Sequence, residues 1–143
     1  MRLLLDVNVW VALFDDAHIQ NAQARKLFKQ PKLKIATCAL TENGVLRVLN
    51  LPGYAKRAPP GFELVRQKLA LACADTDHEF WPCSLSLRNE KVLDWTRIMG
   101  HNQITDAYLL ALVVAHKGTL ATFDHGVALS AVRGATTKHL QLL

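Results

Sequence analysis

Leu3 to Val7 is an apolar run broken only by Asp6. A run this short, with no polar face, suits a strand covered on both sides, as inside a parallel sheet. Asn8 can then cap a short helix through Phe14. Ala17 to Lys29 reads as an amphipathic helix with Ile19, Ala22, Leu27 and Phe28 inward and Arg25, Lys26 and Lys29 outward, stopped by Pro31. Lys34 to Thr37 is a second strand, followed by a helix from Thr37 to Asn50 with Leu40, Val45, Leu46 and Leu49 as its stripe. Three prolines and two glycines make 51–61 an irregular loop.

The alternation continues. Phe62 to Ala74 is a helix, Glu79 to Cys83 a strand, and Leu87 to Met99 a helix ending near Gly100. Thr105 can cap a helix from Asp106 to His116, which Gly118 stops. Thr119 to Phe123 is a fourth strand, Val127 to Val132 a short helix, and Thr137 to Leu142 closes the sheet. Short strands alternating with helices predict an α/β fold, a single domain over 1–143 whose short, mostly parallel central sheet is flanked by helices.

Composition narrows the classes. No apolar run reaches the ~18 to 20 residues of a membrane span, and Met1-Arg2 leads directly into the first strand without a signal-peptide core. A cytoplasmic location without membrane association is expected. Cys38, Cys73 and Cys83 are odd in number and widely spaced, which predicts reduced, mostly buried thiols. Seventeen Lys and Arg against 12 Asp and Glu leave a net charge of +5, compatible with a polyanionic partner such as nucleic acid.

Asp6, Glu42, Asp106 and Asp124 each sit at the edge of an apolar run. Ligands of open α/β sheets bind outside the carboxyl ends of the strands, and topology brings Asp6, Asp106 and Asp124 to that rim. At an assumed separation of ~5 Å and an effective dielectric of ~20, each pair of carboxylates costs ~3 kcal/mol, so convergence requires protonation or a cation. Hard oxygen ligands favour Mg²⁺, with Mn²⁺ as an alternative. Each acid also has a plain structural explanation: a turn for Asp124, the helix dipole for Asp106, a solvated face for Glu42. Asp6 has fewest, since an acid ending a buried strand has little structural reason to be there. The six histidines form no zinc pattern, and there is no G-x-S-x-G elbow, G-x-G-x-x-G fingerprint or Walker loop.

The segments LLLDVNVWVALF (3–14), ALTENGVLRVLN (39–50), QITDAYLLALVVAHKG (103–118) and ATFDHG (121–126) together resemble PIN-domain ribonucleases, specifically VapC-type toxins of toxin–antitoxin pairs. The resemblance spans nearly the whole chain. It implies a Mg²⁺- or Mn²⁺-dependent endoribonuclease that inhibits translation and growth, forms a homodimer and is neutralised by a VapB-like antitoxin. Asp6, Glu42, Asp106 and Asp124 match the family's catalytic acids, with Asp6, Asp106 and Asp124 as metal ligands and Glu42 orienting water or a second ion. Asn8 and Thr122 match supporting polar positions, and Thr41 and Thr105 precede acids as they commonly do. In the second helix, where the family often has two histidines, this chain has His18 and Asn21. Lys26, Lys29, Lys32, Lys34, Lys56 and Arg57 are candidates for RNA contact, and the loop 51–61 with the following helix for the antitoxin groove. Two other classes remain: a non-catalytic binding module, and a phosphotransferase using Asp6 as covalent nucleophile. A PIN-domain nuclease of RNA processing is a third reading.

Overall fold

The computed structural model describes residues 1–143. Five strands, β1 (Leu3–Leu5), β2 (Lys34–Thr37), β3 (Asp77–Phe80), β4 (Thr119–Thr122) and β5 (Leu140–Leu142), form one sheet in the order β3-β2-β1-β4-β5. Every pairing is parallel. β1 lies at the centre, with Leu4 opposite Ala36 of β2 on one side and Leu120 of β4 on the other. Its three leucines are buried, as a strand with neighbours on both edges and layers on both faces requires.

The two-residue period of the strands divides the core between the faces. Leu3, Leu5, Ile35 and Ala121 pack with α1 (Val7–Phe14), α2 (Asn21–Phe28), α3 (Ala39–Leu49) and α4 (Phe62–Ala74). Leu4, Ala36 and Leu120 pack under α5 (Gln103–His116) with Trp81, Leu93 and Val132. α5 is buried from Ala107 through Val113, as suits a helix apolar on nearly all sides. Trp10 is fully buried and meets Phe14 and Phe28 edge-on or tilted.

Several boundaries differ from those predicted, each for a local reason. β1 stops at Leu5 because Asp6, not Asn8, caps α1: its Oδ1 accepts the Val7 N–H at 2.7 Å. α2 starts at Asn21, not Ala17, because Asp15 Oδ1 accepts from Ala17 N and His18 Nδ1 from Gln20 N. Those bonds compete with the helix, and Ile19 and Ala22, read as inward, are exposed. Leu40 is likewise exposed in the first turn of α3. β3 ends before Pro82, which cannot donate to a ladder. α5 starts at Gln103, so Thr105 lies inside its first turn and caps nothing.

The helix predicted over Leu87 to Met99 does not form. Ser86 Oγ, Asn89 Oδ1 and Asp94 Oδ1 each accept from a backbone N–H two residues on, at Arg88, Lys91 and Thr96. These turns capture the donors a helix would use. Only a 3₁₀ turn at Trp95–Arg97 and a bridge between Leu93 and Val132 remain. A second 3₁₀ turn, Leu129–Ala131, replaces the short helix predicted from Val127. Of the three cysteines only Cys38 is buried; Cys83 is exposed. No helix is long and apolar enough to cross a membrane.

α1 and α3 both start at the carboxyl edge of the sheet and cross closely just behind it. Gly44 permits the approach, since a Cβ there would run into the methyl groups of Val7. Gly44→Ala should therefore cost ~1–3 kcal/mol by overpacking, outweighing the ~1 kcal/mol that alanine gains as a helix former. In urea denaturation, Val7→Ala combined with Gly44→Ala should lose less stability than the sum of the single changes. Strict additivity would show that the contact does not limit the packing.

Candidate active site

Asp6 leaves the end of β1 only 5% exposed. Its Oδ2 accepts from Thr122 Oγ1 at 2.7 Å and from Asn8 Nδ2 at 3.1 Å, while Oδ1 holds the Val7 N–H. Thr122, the last residue of the neighbouring β4, accepts in turn from Asn8 Nδ2 at 3.0 Å and from the Asp124 N–H at 3.0 Å. Asn8 Oδ1 accepts from Phe123 N at 3.3 Å. One carboxylate and two short polar side chains thus stitch the ends of β1 and β4 together. Burial raises the Asp6 pKa; the Thr122 and Val7 hydrogen bonds pull it down, and Asp124 adds to the rise.

Asp106 comes from the first turn of α5 and Asp124 from the turn after β4. Asp124 Oδ1 accepts from Gly126 N at 2.7 Å, so it makes the turn and faces the cluster at once. Burial, reinforced by the Asp6 and Asp124 carboxylates, pushes the Asp106 carboxyl up to about 7. Three acids from three separate parts of the chain therefore feel one another.

Glu42 comes from the first turn of α3. Its Oε1 accepts from the hydroxyl of Thr37, the last residue of β2, at 2.7 Å. Thr37 Oγ1 also lies 2.8 Å from His78 Nε2 on β3. Burial holds His78 below the ordinary imidazole value, with Glu42 pulling it back up. Neither Thr37 nor His78 stood out in the sequence. The signal for Thr37 was its place at the end of a buried strand, the same kind of place as Asp6.

Two supporting residues read from the sequence do not contact the acids. Thr41 is buried and closes the start of α3, bonding to the Cys38 backbone at 3.0 Å in both directions. Thr105 is exposed, with no hydrogen bond to an acid. Of the lysines proposed for RNA contact, Lys32 and Lys34 lie at the amino end of β2, some ~10 Å of strand from Thr37. Arg57 is committed to Asp15, which is 6% exposed and also accepts from Tyr54 Oη at 2.9 Å.

None of the four acids pairs with a lysine or arginine; every ion pair of the chain lies elsewhere. Hard carboxylate oxygens without a protein cation fit Mg²⁺ or Mn²⁺. The ligand set of Asp6, Asp106 and Asp124 read from the sequence is not preformed, because no three acidic, histidine or cysteine side chains stand within ligating reach of one point. Mutual repulsion accounts for the spread.

A carboxyl whose folded-state pKa lies above its unfolded value favours the fold most at low pH, and the contribution is lost as pH rises. For Asp106 that window runs from about 4 to about 7. With a chelator present, the melting temperature should fall across this window, and Asp106→Asn should flatten the fall. An unchanged profile in the variant would remove Asp106 as its source.

The profile of the PIN domain family matches residues 3–133. Ribonuclease VapC44 of Mycobacterium tuberculosis is 45% identical over 144 residues, covering all of both chains. Ribonuclease VapC38 of the same organism is 40% identical over 87% of this chain and 86% of its own. Among solved structures, VapBC2 from Rickettsia felis bound to a DNA fragment from their promoter superposes with a TM-score of 0.60. That match covers 100% of this chain and 99% of the other, at 17% identity, a likeness of fold. With the acid-lined carboxyl edge and these full-length relatives, the chain belongs to the PIN-domain family, in its VapC-type branch.

Proposed function

We propose that this chain is a divalent-metal-dependent endoribonuclease and the toxin of a toxin–antitoxin pair, hydrolysing RNA phosphodiester bonds and so arresting translation and growth. The observation that carries this reading is the meeting of Asp6, Asp106 and Asp124 at one sheet edge with no protein cation beside them. Its closest support outside the chain is the full-length similarity to a ribonuclease.

Asp6, Asp106 and Asp124 would hold Mg²⁺ or Mn²⁺. Bound there, the ion would lower the pKa of water and neutralise charge on the phosphate and the leaving oxygen. The Asp106 carboxyl, pushed up to about 7, would give its proton to solvent when a cation binds at neutral pH. Asn8 and Thr122 fix the Asp6 carboxylate, so that it need not reorganise when charge develops. Glu42 keeps Oε1 on Thr37 and presents its other oxygen to orient the attacking water.

The partners follow from the same reading. A VapB-like antitoxin would place an apolar segment in the groove lined by Phe14, Leu49, Leu51, Tyr54, Pro59 and Val65. This groove runs along the 51–61 loop and α4. A homodimer acting in the cytoplasm completes the proposal.

Asp6→Asn tests it with little damage to the fold, because asparagine also caps helices well. RNA cleavage that needs Mg²⁺ or Mn²⁺ should disappear in this variant while the melting temperature stays within a few degrees. Normal metal-dependent cleavage by Asp6→Asn would sink the assignment. Failure of the wild-type chain to take up Mn²⁺ in calorimetry would favour a non-catalytic binding module.

A further inference from the structure

His78 sits on β3, the edge strand of the sheet, opposite Ile35 of β2. Thr37 is two residues beyond Ile35 and pairs with Phe80. The two-residue period therefore puts His78 and Thr37 on the same face as diagonal neighbours. Their side chains meet at 2.8 Å, and Thr37 continues to Glu42 Oε1 at 2.7 Å. Thr37 is fully buried, so water cannot substitute for either partner.

The chemistry of the three groups gives the chain a direction. An ionised carboxylate only accepts, so the single hydroxyl proton of Thr37 goes to Glu42. Thr37 Oγ1 can then only accept from the imidazole, which requires a proton on Nε2 of His78. Reversing the histidine tautomer would leave two lone pairs facing each other or draw the Thr37 proton away from Glu42. We propose that His78 is a positioning residue for the nuclease reaction: its Nε2–H orients the Thr37 hydroxyl, and Thr37 in turn holds the Glu42 carboxylate with one oxygen turned to the substrate side.

The role assigned to Glu42 rests on the ribonuclease reading; the tautomer of His78 does not. Supporting groups that orient an acid through one intervening residue typically account for 10–100-fold in activity. His78→Phe and the isosteric Thr37→Val should each lower kcat by about that factor on a pool of transfer and ribosomal RNA with Mn²⁺, leaving KM nearly unchanged. His78→Gln, whose amide can donate from a similar place, and Thr37→Ser should recover most of the loss. In a Glu42→Gln background, His78→Phe should have no further effect, because the group it positions is gone. Wild-type kcat in His78→Phe, or an undiminished loss in the Glu42→Gln background, would overturn the proposal.

A second readout needs no activity. Nitrogen-15 NMR of the imidazole in the wild-type protein should find His78 protonated on Nε2, and a proton on Nδ1 alone would overturn the proposal even if the chain cleaves RNA. If the wild-type chain cleaves no RNA with any divalent ion, the ribonuclease reading fails while this measurement still decides the geometry.

Discussion

A nearly buried carboxylate with no cation beside it is the constraint around which this molecule is arranged. Asp6 remains in place because three neutral donors, the Val7 N–H, Thr122 and Asn8, take up its lone pairs. Each belongs to an element that had to be there for other reasons. Val7 starts α1, Thr122 ends the strand paired with β1, and Asn8 faces both from the first turn. Removing one partner from such a network leaves a buried charged group short of a bond, which costs more than the bond itself contributes. The pairing of β1 with β4 is what brings Thr122 to the acid that follows β1.

Much of this was legible in the residues. Asp6, an acid closing an apolar run, marks the edge of the sheet even though it also caps α1, and the strand-helix alternation predicts a parallel arrangement. Asp124 was ambiguous for a physical reason: it makes its turn through Gly126 and faces the cluster as well, so neither explanation excludes the other. Glu42 was legible as an acid in the first turn of its helix, but its hydrogen bond was not. Its partner Thr37 ends β2 five positions earlier, and nothing in the local sequence announces that Thr37 also meets a histidine on β3. The stretch 87–99 misled in the opposite way. It has apolar residues at plausible helical spacing, but Ser86, Asn89 and Asp94 take the backbone donors one turn at a time. Local hydrogen bonds won over periodicity there, as they did at Asp15 and His18 before α2.

The far end of α1 follows a related logic with opposite electrostatics. Asp15 is as buried as Asp6, yet it has Arg57, Tyr54 and the Ala17 N–H around it. Against the effect of burial, these partners hold its carboxyl below the usual range, while Tyr54 is pushed up to about 12. One acid is thus fully compensated by the protein and ties the proline-rich loop to the helix end. The other is left with neutral donors and like charges, the condition of a group meant to meet something from outside.

The pairing of β1 with β4 also bears on how the chain is made. β1 is synthesised well before its partner, which begins at Thr119, and Asp106 and Asp124 lie 100 and 118 positions beyond Asp6. Long-range parallel pairing of this kind must await the later strand, whatever the earlier helices have already done. On a growing chain the acids remain scattered until the segment from Asp106 to Asp124 has been made. On the proposed site, a polypeptide that would act against its own cell's RNA would stay inert until then, and one stopping before Asp124 would never acquire the cluster.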